Sequence, residues 1–211
     1  MLGNIVVQFF IKGGPIMYPI LICGLVAVAV VGERIFWWLR EGARRSPTQL
    51  AEVLTALEKG DTSGALNAAR ETGDPVVRMV FHGLNHHNTS LQGALAVAAG
   101  VELQRAGRFL TVMDTLVTLA PLLGLLGTVV GLMKAFLDVG DAEIGVQAVT
   151  GGIGEALIAT ACGLGIAILS VVPFNYFTGR VTRLQFELET AATNVEIMLK
   201  ASGTSESAKA A

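Results

Sequence analysis

The amino-acid sequence predicts an all-α integral membrane protein with three transmembrane helices. Two of these helices are expected to be long and to extend into the cytoplasm, where shorter helices form a small layer. Hydrophobic residues make up 52% of the 211 residues and charged residues only 15%, which is too apolar for a soluble globular domain. The apolar residues also fall in long blocks, which indicates membrane spans rather than amphipathic helices.

Three stretches contain no Asp, Glu, Lys or Arg, and each is long enough to cross a bilayer. They are residues 13–32, 115–133 and 156–179, with lengths of 20, 19 and 24 residues. A helix rises about 1.5 Å per residue, so about 20 residues cross a hydrocarbon core of about 30 Å. The first stretch is too long for a signal peptide, its basic start is nearly absent and no small-residue cleavage site follows it, so we interpret it as a retained span.

The distribution of basic residues predicts the orientation, because Lys and Arg are retained on the cytoplasmic side. Nine of the 15 lie between the first and second stretches and four follow the third, whereas one precedes the first stretch and one follows the second. We therefore predict a periplasmic N-terminus and a cytoplasmic C-terminus. The predicted segments are a periplasmic 1–12, spans at 13–39, 114–137 and 146–179, a cytoplasmic helical segment at 40–113, a periplasmic loop at 138–145, and a cytoplasmic helix with a disordered tail at 180–211.

The cytoplasmic segment contains several helix-start signals. Ser46 and Asp74 each precede a proline, the pattern of a cap followed by proline at the first helical position, and Asp61 and Ser90 are weaker caps. No proline intervenes between Ser90 and Pro121. This predicts one helix over residues 90–138, about 73 Å long, that runs from the cytoplasm into the membrane. The third span is likewise expected to continue as a cytoplasmic helix, with the residues from 201 onward disordered.

Small residues recur at spacings of three and four in the second and third spans. Such stripes let helix backbones approach closely, so a packing role is one interpretation. The other is that the hydroxyls of Thr128 and Thr160 line a cavity or a partner helix, where they hold water or hydrogen-bond a carboxyl group. The stripes are Pro121, Gly124, Thr128 and Gly131 in the second span, and Ala156, Thr160, Gly163 and Ala167 in the third.

Glu155 is an acidic residue at the edge of the third apolar stretch. If its helix begins near residue 144, Glu155 lies about 16 Å along the axis, where an acid costs at least about 2.5 kcal/mol and is expected to be functional. If the helix begins at Gly154 instead, Glu155 is an N-terminal charge that the helix dipole stabilises. The residues alone leave both interpretations open.

Other chemistry is not indicated. The chain has no Walker, Gly-x-Ser-x-Gly or Rossmann motif, and no His or Lys lies centrally in a span, so we predict no enzymatic activity. His82 and His86 are four residues apart, but two ligands do not make a metal site, and we predict no metal or other cofactor. A net charge of −2 gives no reason to expect a nucleic-acid partner.

Two motifs resemble those of the MotA/TolQ/ExbB proton-channel family, and most of all its ExbB branch. Residues 121–133 read Pro-Leu-Leu-Gly-Leu-Leu-Gly-Thr-Val-Val-Gly-Leu-Met, and residues 154–164 read Gly-Glu-Ala-Leu-Ile-Ala-Thr-Ala-Cys-Gly-Leu. The likeness covers the whole chain, including Gly32-Glu33-Arg34 at the end of the first span and the punctuation at Gly60-Asp61 and Asp74-Pro75.

The resemblance implies a bacterial inner-membrane protein that forms a five-subunit ring. In that arrangement the second and third spans line a central pore, which holds the single helices of two copies of an ExbD- or TolR-like partner. The partner supplies an aspartate that takes up and releases protons. Thr128 and Thr160 match the family's pore-facing threonines, and Glu155 matches its acidic residue on the third span. Pro121, Gly124, Gly131 and Gly163 are expected to pack the helices around the pore.

The implied function is to convert proton motive force into work on an outer-membrane transporter through a TonB-like protein. A TolQ-type subunit, which serves envelope maintenance in the Tol-Pal system, is the alternative within the family. A passive membrane scaffold, whose threonines only pack helices, is the alternative of a different class.

Overall fold

The computed structural model describes residue 10 and residues 13–137 and 145–209, and within them it contains seven helices and no strand. The prediction of an all-α fold is therefore confirmed for this part of the chain. The helices are α1 (Met17–Gly42), α2 (Pro47–Glu58), α3 (Thr62–Ala68), α4 (Pro75–Asn85), α5 (His87–Ala106), α6 (Leu110–Leu137) and α7 (Gly145–Lys209).

Three of the helices are long and apolar enough to cross a membrane. They are α1, α6 and the part of α7 from Val149 to Ala201, so the described residues contain the predicted three candidate spans. Large apolar side chains such as Leu122, Leu125 and Ile168 remain mostly exposed, as expected for surfaces that face lipid. Much of the predicted periplasmic segment, and nearly all of the predicted loop at 138–145, lie outside the described residues.

The chain divides into two compact units. The first, which we call the apolar unit, comprises Met1–Arg34 and Phe109–Tyr176, and the second, the polar unit, comprises Ile35–Arg108 and Phe177–Ala211. Helices α1 and α7 each contribute to both units. The candidate functional residues of the spans all belong to the apolar unit.

In the apolar unit, the start of α1 packs on both of the other spans. Met17 and Ile20 are buried together with Ala159 of α7, and Leu123 of α6 packs against the same cluster. Cys23 is a free thiol one turn further along α1, buried in a second apolar cluster with Ala27 and Leu116.

In the polar unit, side-chain caps define the helix starts. Asp61 accepts a hydrogen bond from Gly64 N at 2.7 Å, and Asp74 accepts one from Val76 N at 2.8 Å. Ser90 accepts one from Gly93 N at 3.1 Å and has extended backbone angles, φ −165° and ψ 106°, so it also caps the part of α5 that follows it. Ser46 makes no side-chain cap, and its backbone N–H instead donates to Asp74 at 2.9 Å. Three of the four predicted caps therefore bond through their side chains, and α2 begins at Pro47, directly after Ser46, as predicted.

The prediction of one continuous helix over residues 90–138 is wrong. Helix α5 ends at Ala106 and α6 begins at Leu110. Phe109, in the break, has φ of +65°, a conformation that costs a bulky residue energy. Its ring lies 5.7 Å from the guanidinium of the buried Arg34, so a tertiary contact accompanies the break. No proline marks this position, which is why the sequence suggested a longer helix.

The predicted disordered tail is also wrong for residues 201–209, because α7 continues to Lys209. No proline follows Pro173 to end the helix, and α7 continues even though five of the nine residues from 201 to 209 are Ser, Thr or Gly, which favour helix less than Ala does. The predicted continuation of the third span as a long helix is present, as part of a helix of 65 residues.

Candidate functional site

A seam of small residues joins α6 and α7 at backbone distance. A Cβ atom at Gly163 would lie 2.5 Å from the carbonyl oxygen of Ala120, and one at Gly124 would lie 3.0 Å from the Cα of Thr160. A Cβ atom at Gly152 would lie 2.5 Å from the Cβ of Ala135. Most such contacts are to backbone atoms, which cannot rotate away. The two helices therefore meet along a line that admits only glycine or alanine, as is typical of packing within membranes.

The seam differs in part from the predicted stripes. Gly124, Gly131 and Gly163 lie in it, and so does Ala156, which a Cβ atom at Gly131 would approach to 3.1 Å. Pro121 and Thr128 are one residue off the line. The sequence reasoning missed its full extent, although the three- and four-residue spacing is present in the chain. The seam runs along Ala120, Gly124, Gly127, Gly131 and Ala135 of α6, and along Gly152, Ala156, Ala159 and Gly163 of α7.

Thr160 contributes a polar bond across the seam. Its hydroxyl donates a hydrogen bond of 2.9 Å to the carbonyl oxygen of Gly124. Because a carbonyl can only accept, the hydroxyl proton is committed to this bond. The oxygen keeps lone pairs with which it can accept a hydrogen bond from another group.

Thr128 is bonded within its own helix instead. Its hydroxyl donates to the carbonyl oxygen of Leu125 at 2.6 Å, so its proton is also committed. Both threonines thus hold their oxygens as acceptors. A hydroxyl in this state suits a water molecule or a protonated carboxyl group, which must donate.

Glu155 lies inside α7 rather than at its start. The helix begins at Gly145, ten residues earlier, which places Glu155 about 15 Å along the axis. The interpretation in which the helix begins at Gly154 is therefore wrong. Gly14 closes one side of the Glu155 carboxylate so tightly that a Cβ atom at Gly14 would collide with it. Gly14 also has φ of +70°, a backbone conformation that favours glycine, so both the space and the backbone require glycine here.

Lys134 of α6 supplies the charge that faces Glu155, and the sequence reasoning missed it as a site residue. Its Nζ lies 3.5 Å from Glu155 Oε2. A signal was available, because Lys134 directly follows one charge-free stretch and Glu155 directly precedes the next. Two successive spans that cross in opposite directions bring such ends together. Acidic groups within membrane helices are commonly paired in this way.

A second cluster of charges lies in the polar unit and centres on Arg78. Its guanidinium donates to Glu102 at 2.6 Å, to Glu41 at 2.9 Å and to the carbonyl oxygen of Gly73 at 3.0 Å. Burial by itself would lower the pKa of Arg78, but the hydrogen bonds and charges of Glu102 and Glu41 outweigh it and raise the pKa above its usual value. Through Arg78, the cluster joins α1, α4 and α5.

Residues 71–190 match the MotA/TolQ/ExbB proton channel family. This match covers more than half of the chain, including Thr128, Glu155, Thr160 and the whole seam. The chain belongs to this family.

Relatives named for ExbB extend the similarity beyond that region. The ExbB-like 3 biopolymer transport protein of Synechocystis sp. is 34% identical over 83% of this chain and 86% of its own length. The ExbB homolog of Methanothermobacter thermautotrophicus is 31% identical over 83% of this chain and 64% of its own length. The biopolymer transport protein ExbB of Xanthomonas campestris is 41% identical over 40% of this chain and 34% of its own length.

Most of the charged residues described above lie within the region that matches the MotA/TolQ/ExbB family. The matched region includes both Lys134 and Glu155, as well as Arg78 and Glu102 of the polar unit. Gly14 and Glu41 lie before it. The family resemblance predicted from residues 121–133 and 154–164 is confirmed, whereas the roles of the individual residues rest on geometry and chemistry.

Proposed function

We propose that this chain is the ring subunit of an ExbB-ExbD-type motor that uses proton motive force to energise TonB-dependent transport across the outer membrane. The names of its relatives, which are biopolymer transport proteins, support this choice. In the proposal the protein lies in the bacterial inner membrane with its N-terminus in the periplasm and its C-terminus in the cytoplasm. Thirteen of the 15 basic residues then lie on the cytoplasmic side.

The observation that carries the proposal is the pair of threonine hydroxyls set as acceptors beside a seam without titratable groups. No charged residue lies between 115 and 133 or between 156 and 179. The chain by itself therefore has no relay of titratable groups through the middle of its spans. A protonated carboxyl group brought by a partner can donate to Thr128 and Thr160, whose own protons are committed to backbone carbonyls.

The partner is an ExbD- or TolR-like protein with a single span, present in two copies within a pentamer of this chain. Its aspartate carries the proton, while this chain forms the wall of the path. Each elementary charge that crosses 100 mV releases about 2.3 kcal/mol, so several protons are needed to drive a large conformational change in a TonB-like protein. Glu155 places a carboxylate near one end of the path.

Substitutions at Thr160 and Glu155 test the proposal in cells that express the full chain with its partner. We expect Thr160→Val and Glu155→Gln each to reduce proton-driven uptake, because the first removes the acceptor oxygen and the second the charge. Glu58→Gln, an exposed carboxylate of α2, is the matched control. The amount of assembled complex is measured in every variant. Normal uptake in both site variants would contradict the proposal.

A passive scaffold is the second candidate, and the bond from Thr160 to Gly124 is the observation that favours it, since a bond across the seam is what packing requires. Thr128 separates the two candidates because it makes no such bond. A motor subunit loses activity in Thr128→Val with its assembly intact, whereas a scaffold does not. A TolQ-type role is distinguished by the phenotype of a deletion, which would affect envelope integrity rather than uptake.

A further inference from the structure

The ion pair between Lys134 and Glu155 joins the ends of two neighbouring spans. Lys134 lies three residues before the end of α6, and Glu155 lies ten residues after the start of α7. The carboxylate is largely buried, with 16% of the Glu155 side chain exposed, whereas 60% of the Lys134 side chain is exposed. The lysine thus reaches from a more open position to a carboxylate that protein encloses.

Three parts of the chain enclose this carboxylate. Helix α7 carries it, Gly14 closes one side so tightly that a Cβ atom there would collide with it, and Lys134 faces its Oε2. No other ion pair to Glu155 occurs among the described residues, and the described part of the segment before α1 carries no charge. The ammonium of Lys134, 3.5 Å from Glu155 Oε2, offsets the charge of the acid in its enclosure.

We propose that Lys134 is a positioning residue of the proton path, and that its ammonium holds the Glu155 carboxylate at the contact of α6 with α7. This inference rests on the proposed function, because it deepens the role of Glu155. A charge in the apolar layer is costly when it has no partner. Without the ammonium, the Glu155 carboxylate is free to turn toward water or toward the partner helix. That movement displaces the carboxylate from its place beside the path.

Charge, rather than shape, is the property that this role requires. Arginine keeps the positive charge at position 134, whereas methionine keeps only the aliphatic stem. If glutamate stands at position 134 and lysine at position 155, the attraction between the two side chains is kept, and only the places of the two charges are exchanged. A residue that merely fills space would show the opposite order, with methionine tolerated and arginine not.

The experiment uses the full chain with its partner and compares Lys134→Met, Lys134→Arg, the single changes Lys134→Glu and Glu155→Lys, and the double exchange. Lys59→Met, an exposed lysine of the polar unit, is the matched control. We expect Lys134→Met to lower the rate of proton-driven uptake per assembled complex by about fivefold or more. A change of this size is within the range of interaction energies between residues in direct contact. Lys134→Arg should retain most of the rate, and the double exchange should exceed either single exchange.

A second measurement does not depend on activity. The melting temperatures of the purified complex are compared for Lys134→Met, Glu155→Gln and the two combined, and we expect the two shifts not to add, because each change removes the same interaction. Additive shifts would overturn the pairing. Normal uptake in Lys134→Met together with loss of uptake in Glu155→Gln would overturn the positioning role and leave the proposed function intact. Normal uptake in Glu155→Gln with non-additive melting shifts would instead remove Glu155 from the proposed function.

Discussion

The two units of the molecule are stabilised by different means. In the apolar unit, α6 and α7 meet through glycine and alanine at backbone distance, and a hydroxyl bond and an ion pair also join them. In the polar unit, helices are joined by capping carboxylates and by a partly exposed arginine that pairs with two buried acids. The two means of stabilisation differ because the surroundings of the helices differ. In lipid, helices gain no hydrophobic free energy when they associate, so close packing must stabilise their contact. Where water surrounds the helices, apolar burial and charged ties share the task.

This contrast predicts the largest effect at the centre of the charge cluster. Arg78→Met removes the arginine that pairs with the buried Glu41, 8% exposed, and with the buried Glu102, 5% exposed, although Glu102 keeps its ion pair with Arg105. We expect a loss of about 3 kcal/mol in the unfolding free energy of the polar unit, the low end for a broken buried pair because Arg78 is partly exposed. Both tryptophans, Trp37 and Trp38, lie in this unit, so the fluorescence of the purified chain in denaturant measures it.

Arg70→Met is the matched control for this change, since Arg70 is exposed and has no ion pair in the described part of the chain. We expect it to unfold like the parent. Equal stability of Arg78→Met and the parent would show that the charge cluster contributes nothing, and the contrast between the units would be lost.

The next effect is expected in the seam. Gly163→Ala places a Cβ atom against the carbonyl oxygen of Ala120, at 2.5 Å without movement of a helix. Overpacking of this kind costs about 1–3 kcal/mol, so the melting temperature of the complex should fall. Gly165→Ala, two residues away in the same helix, meets no atom within 4 Å and serves as the control. Equal melting temperatures for the two variants would contradict the packing account.

A smaller effect is expected at the helix starts of the polar unit. Asp74 accepts from both Val76 N and Ser46 N, whereas Asp61 accepts from Gly64 N alone and is exposed. We expect Asp74→Ala to cost about 2 kcal/mol and Asp61→Ala about 1 kcal/mol. Hydrogen exchange of the Val76 amide should quicken in Asp74→Ala and stay unchanged in Asp61→Ala. The reverse order of stability would refute the assignment of Asp74 as the cap that links two helix starts.

The smallest effect on stability is expected from the threonines. Thr160→Val removes one bond across the seam and should cost about 1 kcal/mol, whereas Thr128→Val removes a bond within one helix and should cost less. Thr160→Ser restores the hydroxyl and should recover the melting temperature. A larger loss of stability in Thr128→Val than in Thr160→Val would contradict the assignment of the bond across the seam to Thr160.

The sequence predicts the spans well and their contacts less well, for a physical reason. Runs of 19 residues or more without charge determine membrane helices almost alone. The break at Phe109 depends on a tertiary contact with Arg34, which no local pattern contains. Hydrogen bonding of Ser46 to Asp74 likewise joins residues 28 positions apart.

The candidate site shows the same division. Glu155, Thr128 and Thr160 stand out as polar residues within or beside apolar runs, so the sequence indicates them directly. Lys134 does not, because its importance depends on which face of α6 meets α7. The register of the seam, with Gly131 opposite Ala156, is what brings its ammonium to Glu155.

The most direct test of the central claim, that this chain forms the wall of a path whose proton carrier belongs to a partner, is proton flux into liposomes that contain the complex. The flux is compared between the parent and Thr128→Val. This position is chosen because the Thr128 hydroxyl makes no bond across the seam. We predict that flux per assembled complex falls by about tenfold, the effect of about 1.4 kcal/mol on a barrier, with the melting temperature nearly unchanged. Parental flux through an intact Thr128→Val complex would contradict the claim.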